Sequence, residues 1–153
     1  TLIKQILDIS KKFNCKIICP IDVVVSKDFE GLGKNKDITE INDDEMILDI
    51  GPKTISLIKK IINQSNTVLW NGPAGYFENP NFQTGTKEIL EIISQKSIKD
   101  KIFSVAGGGE TVAAINKFKK FDSFTFVSTA GGAFLEYLEG KTLPGIKALN
   151  QNV

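Results

Sequence analysis

Residues 103–111 read FSVAGGGET, and the fold turns on them. An apolar run, Ile102 to Ala106, stops at three consecutive glycines. Glu110 and Thr111 then open a segment whose apolar residues, Val112, Ala113, Ile115 and Phe118, recur at helical spacing. The pattern is strand, tight turn, helix. A strand that feeds a helix through glycine leaves bare backbone N–H groups at the helix start, and the helix dipole adds partial positive charge there. Such a terminus suits a phosphate. The same glycines also serve a strand and helix that only pack closely. This stretch alone leaves both readings open.

Two further stretches on either side repeat the pattern. Thr67 to Asn71 (TVLWN) reads as a buried strand that ends in the turn NGPAG, 71–75. Ser123 to Ser128 (SFTFVS) reads as a strand that ends in TAGG, 129–132, before a helix from Ala133 to Glu139. Between them, Thr84 to Gln95 is helical, with Ile89, Leu90, Ile92 and Ile93 inside. Strand and helix alternate, which predicts parallel strands joined by crossover helices: an α/β, Rossmann-like sheet with flanking helices. In such a sheet the C-terminal ends of the strands share one edge, and ligands bind there. All three glycine-bearing turns gather on that edge. The constellation favours phosphate or nucleotide binding over tight turns alone.

The remaining chain is read outward from this core. Thr1 to Phe13 is an amphipathic helix with Leu2, Ile3, Ile6 and Leu7 on one stripe, stopped at Asn14. In Lys16 to Val25 (KIICPIDVVV), Pro20 limits the ladder, so the strand is expected over Lys16 to Cys19. Residues 26–50 read as a surface excursion, in which KDITEI and EMILDI form a short strand and its partner or an extended return. Gly51-Pro52 starts a helix with Ile55, Ile58, Ile62, Leu57 and Ile61 on its buried face. Gly140 stops the last helix, and Leu143-Pro144-Gly145 makes a bend before a short tail. There is no low-complexity tract and no interdomain linker. Gly140-Lys141-Thr142 mimics the end of a P-loop, but Leu135 stands where that motif needs glycine. No G-x-G-x-x-G occurs.

Composition narrows the chemistry. The chain has 153 residues, 41% apolar and 24% charged, with formal net charge +1. That length suits one domain with a real core. The charge balance gives no bulk drive toward nucleic acid or a membrane surface. No apolar run approaches a membrane span, and no signal peptide pattern is present, so a cytoplasmic protein is expected. The first residue is Thr1, not Met, which predicts a processed, trimmed or partial chain. There is no His, and all 19 basic residues are Lys. A His-based triad, a His metal site and an arginine finger are therefore excluded within this chain. Cys15 and Cys19 share parity with Ile17 and are expected to be buried free thiols on one strand face.

Three spellings together resemble phosphoglycerate kinase: VLWNGPAGYFENPNFQTGT at 68–86, FSVAGGGETVAAI at 103–115, and FVSTAGGAFLEYLEGKTLPG at 126–145. Ile21-Asp22-Val23-Val24-Val25 and Leu48-Asp49-Ile50-Gly51-Pro52-Lys53 extend the resemblance upstream. It covers essentially all of residues 1–153, in the family's order and spacing. It implies the C-terminal part of the nucleotide-binding lobe of a two-lobed enzyme, without the first two strands of that lobe and without the lobe that binds the phosphoglycerate.

The implied reaction is reversible phosphoryl transfer between 1,3-bisphosphoglycerate and ADP, giving 3-phosphoglycerate and ATP with Mg²⁺, a step of glycolysis. The resemblance gives Glu78 to the ribose hydroxyls. Gly108, Gly109, Glu110 and Thr111 become the phosphate and metal turn, with the Thr111 hydroxyl donating to phosphate. Glu110 becomes the metal carboxylate, where the family usually has aspartate. Asn71 and Pro73 belong to the nucleotide-side turn. Gly109, Gly131 and Gly132 are implied as the catalytic glycines facing the phosphates, with Ala130 in place of a usual glycine. The family's transition-state arginine lies in the other lobe, so this segment need not carry one. The complete protein would then be a monomer that meets nucleotide and 3-phosphoglycerate, the latter through the other lobe, and neither nucleic acid nor membrane. The alternative is a non-catalytic, nucleotide-binding remnant or module.

Overall fold

A computed structural model gives the fold of residues 1–150. Helix α1 (Leu2–Lys12) has an apolar stripe but buries no residue. Asn14 ends it with φ +50°, the left-handed conformation that asparagine tolerates. Residues 15–21 then run without regular structure. The expected strand over Lys16–Cys19 does not form; the strand is β1 (Asp22–Ser26), beyond Pro20. Pro20 offers no N–H to a ladder, whereas the β-branched run after it finds a partner on each side. Cys15 and Cys19 are accordingly exposed free thiols, not buried ones, because no sheet lies over them.

Strand β1 is the middle of a small antiparallel sheet with order β2-β1-β3, where β2 is Lys34–Asp37 and β3 is Met46–Ile50. Segment 26–50 is therefore more than a surface excursion. It returns to pair β3 with β1 and buries Leu48, Asp49 and Ile50. β3 pairs with β1 and not with the strand inside KDITEI, because only β1 offers a buried, β-branched neighbour.

Two buried carboxylates tie this sheet to the helices that follow. Helix α2 (Pro52–Asn63) starts on Asp22 of β1. Asp22 accepts the Lys53 amide at 2.8 Å and the Thr54 amide and hydroxyl at 2.7 Å each. Burial alone would push this carboxyl up, but those three donors outweigh it and hold its pKa below the ordinary value. On β3, Asp49 accepts the Ile50 amide and, at 2.8 Å, the Gly85 amide in the first turn of α3 (Thr84–Lys99). Here burial wins and the pKa is raised. Cβ atoms at Gly51, Gly75 or Gly85 would strike these carboxylates, so sequence and capping are matched.

The second sheet is parallel, with order β4-β5-β6: β4 (Thr67–Asn71), β5 (Phe103–Gly107) and β6 (Phe126–Ser128). Helices α3 and α4 (Gly109–Lys117) make the crossovers, as alternation requires. One continuous core joins Ile50, Ile55, Ile62, Trp70, Leu90, Ile93, Ala106 and Ile115. On the other sheet face, Leu69, Phe103 and Phe126 are 47%, 53% and 57% exposed. Strand β4 is thus an edge strand with only Trp70 buried, not the wholly buried strand its composition suggests. Helix α5 (Gly132–Leu138) comes back onto that face, where the Phe134 ring fills the space a Cβ at Gly107 would need. Beyond Gly140, Pro144–Asn150 forms helix α6 where a bend and tail were expected. The rest of that tail, 151–153, lies outside the described residues.

Candidate functional site

Because β4, β5 and β6 run parallel, their three glycine turns meet at one edge. Asn71, Gly72, Gly108, Gly109, Glu110 and Thr111 wall a pocket of about 250 Å³, closed on the far side by Gly131, Gly132 and Leu135. The turns are bonded to one another. The Asn71 side chain donates to the Gly107 carbonyl at 2.8 Å. The Gly72 amide donates to the Thr111 hydroxyl oxygen at 2.7 Å. Gly108 has φ +95°, and a Cβ there would lie 2.9 Å from Asn71 Nδ2.

The glycines differ in what they serve. Gly107 is required by Phe134, and Gly108 by its backbone. Gly109, Gly131 and Gly132 have no neighbouring atom among the described residues within 4 Å of a would-be Cβ, so at Gly109 and Gly132 the bareness opens space rather than fitting packing, while Gly131, at φ +57°, is also required by its backbone. The helical ladder of α4 starts when Val112 N donates to Gly108 O at 3.0 Å. That leaves the amides of Gly109, Glu110 and Thr111 outside it, pointing with the positive end of the helix dipole toward the pocket.

Glu110 is exposed and is the carboxylate of this pocket. It also borders a larger, mostly apolar groove of about 500 Å³ that runs from Pro73–Tyr76 to Ile38, Ile47 and Leu48. Pro73 belongs to that groove, not to the glycine pocket. No lysine lines the glycine pocket. Glu78 lines neither cavity; it is exposed, two residues past Tyr76.

Some contacts that shape the site could not be read in advance. Thr86, fully buried, accepts the Ala74 and Gly75 amides at 3.0 and 3.2 Å and so holds the turn after β4. The Tyr76 amide donates to Leu48 O at 2.7 Å, sewing the same turn to β3. Lys117, at the far end of α4, bonds the Phe77 carbonyl. The only signal for Thr86 was its place inside the 68–86 spelling; nothing local marks Lys117.

No group of three or more His, Cys, Asp or Glu that could hold a metal occurs among the described residues. A lone carboxylate beside bare amides still fits Mg²⁺, which takes one or two carboxylates together with substrate phosphates and keeps several waters. No helix among the described residues is long and apolar enough to cross a membrane.

In an open α/β sheet, the edge where the parallel strands end, here lined with glycine amides and one acidic group, is the edge at which ligands bind. The family model for phosphoglycerate kinase matches residues 1–141. Phosphoglycerate kinase from Xanthobacter autotrophicus is 43% identical over 150 residues, and that from Francisella philomiragia 46% over 150. Each match covers 97% of this chain. The solved phosphoglycerate kinase of Coxiella burnetii superposes with a TM-score of 0.88 at 38% identity, over 97% of this chain. That of Pyrococcus horikoshii gives 0.78 at 32%, over 96%. The chain spans about 38% of the length of the curated relatives it matches. The chain belongs to the phosphoglycerate kinase family.

Proposed function

We propose that this chain is the C-terminal part of the nucleotide-binding lobe of a phosphoglycerate kinase. The complete protein would move a phosphoryl group reversibly between 1,3-bisphosphoglycerate and ADP. The bond from the acyl oxygen to phosphorus breaks, a bond from the terminal oxygen of ADP to the same phosphorus forms, and 3-phosphoglycerate leaves as a carboxylate. The observation that carries this reading is the glycine pocket, where three parallel strands converge and Gly109, Gly131 and Gly132 leave unfilled space.

Within it, the amides of Gly109 to Thr111 donate hydrogen bonds to the phosphate oxygens, and Gly131 and Gly132 leave room for the transferred group. Asn71 and Thr111 fix the walls. Glu110 would hold Mg²⁺ with water and the nucleotide phosphates; charge neutralisation on those phosphates is what the ion supplies when bound. The apolar groove beside Pro73 and Tyr76 suits a nucleoside, and Glu78 just beyond it accepts hydrogen bonds from the ribose hydroxyls. Such chemistry asks the protein for positioning and charge neutralisation, with no covalent intermediate. The 3-phosphoglycerate and the transition-state cation belong to the other lobe. The reading carries with it a cytoplasmic, monomeric enzyme of glycolysis.

The test is calorimetry with Mg-ADP on the full-length protein. A Cβ on Gly109 touches no protein atom, so Gly109→Ala keeps the fold and loses affinity only if a phosphate lies there. Gly108→Val loses both, because it strains φ +95° and crowds Asn71. Wild-type affinity in Gly109→Ala and Gly132→Ala would overturn the phosphate reading and leave the glycines to packing.

A further inference from the structure

Lys117 closes helix α4. Its ammonium donates to the Phe77 carbonyl at 2.5 Å and to the Glu78 carbonyl at 3.3 Å. It also sits 5.7 Å from the ring centroid of Phe77 and 5.8 Å from that of Phe118. No carboxylate pairs with it among the described residues. A cation held by two successive carbonyls between two aromatic faces has a fixed place, and each carbonyl bond is charge-assisted. The backbone it grips is the one that bears Glu78. Phe77, 4% exposed, anchors the same backbone in the core from the other side.

The opposite end of α4 opens the glycine pocket at Gly109 and Glu110. The helix has nine residues, so about 12 Å separates its two ends at 1.5 Å per residue. One short, straight element thus carries the phosphate turn at its head and the grip on the 77–78 turn at its tail.

We propose that Lys117 is a positioning residue for nucleotide binding. It holds the Phe77–Glu78 backbone so that the Glu78 carboxylate meets the ribose hydroxyls while the head of α4 meets the phosphates of the same nucleotide. The inference rests on the ribose reading of Glu78 given above. Lys117 touches neither substrate nor reacting atoms; it acts through Glu78.

The experiment compares ADP with 2′-deoxy-ADP, both as Mg²⁺ complexes, in the full-length protein and its Lys117→Met, Lys117→Arg and Glu78→Ala variants. Lys117→Met is expected to raise KM for ADP about tenfold with kcat held within about twofold, the mark of lost binding rather than lost chemistry. It is also expected to shrink the preference for ADP over 2′-deoxy-ADP to that of Glu78→Ala. Lys117→Arg, which keeps cationic donors, restores the preference. Where Lys117→Met does not fold, Lys117→Gln reads the same ratio. A Lys117 variant that keeps the wild-type preference while Glu78→Ala has lost it overturns the role of Lys117 and leaves the ribose reading standing. A preference unchanged in Glu78→Ala overturns the ribose reading, and this inference with it.

Discussion

The buried Thr111 hydroxyl accepts a 2.7 Å hydrogen bond from the Gly72 amide, so the head of α4 is bonded directly to the turn after β4. Thr111 is 1% exposed, and its oxygen sets the distance between two pocket walls. Thr111→Val keeps the shape but leaves the Gly72 amide without its acceptor. The expected cost is about 1–3 kcal/mol of stability, with weaker Mg-ADP binding. Thr111→Ser should retain both. Thermal melts and calorimetry on the three proteins decide; an unchanged melt in Thr111→Val would remove the link.

Glu110 is exposed and packs against nothing in the core, so its loss should spare the fold. Glu110→Ala in the full-length protein is expected to lower turnover by about two orders of magnitude, the scale of losing one electrostatic group at a transition state. The Mg²⁺ concentration needed for half-maximal activity should rise with it. A Mg²⁺ titration identical to wild type would remove Glu110 from the metal.

Asp22 and Asp49 give stability opposite slopes with pH. The folded pKa of Asp22 lies below the ordinary 3.8, so its contribution is complete above that value and fades as pH falls through the lowered one. The folded pKa of Asp49 lies above 3.8, so the folded state takes up its proton first and gains stability as pH falls toward 3.8. Asp22→Ala strips the start of α2 of its acceptor and should cost about 1–3 kcal/mol at neutral pH, less in acid. Asp49→Asn should flatten the rise on the acid side. Denaturant melts between neutral pH and the carboxylate range test both, and parallel curves for wild type and Asp22→Ala would count against the first.

Residues 1–153 expressed alone should show no kinase activity and poor stability. Strand β4 has a free edge, one face of its sheet exposes Leu69, Phe103 and Phe126, and α1 buries nothing. Unpaired strand edges recruit other chains, and a domain's whole stability is only about 5–15 kcal/mol. The expected melt is broad and low, with concentration-dependent association on sizing. A sharp cooperative transition in a soluble monomer with measurable phosphoryl transfer would contradict it.

The sequence by itself determined most elements of the second half of the chain, although β6 begins at Phe126 rather than Ser123 and Pro144–Asn150 is a helix rather than a bend and tail. Thr67–Asn71 is a strand as its spelling predicts, though at an edge and with only Trp70 buried, and the strand, turn and helix around 103–117, the gathering of three glycine turns, and the starts of α2 and α3 follow from periodicity and turn residues. Those signals act within one or two turns of chain, so they survive without knowledge of the rest. Tertiary structure alone decided what depends on the residues opposite. It moved the first strand past Pro20, paired β3 with β1, left Cys15 and Cys19 in solvent, and divided the glycines into those that fit a neighbour and those that open space. It also brought Thr86 to the 74–75 turn, Thr111 to Gly72 and Lys117 to Phe77, across 11 to 40 residues. Pairing and burial are set by which surface arrives across a loop, and a local pattern holds no record of that surface.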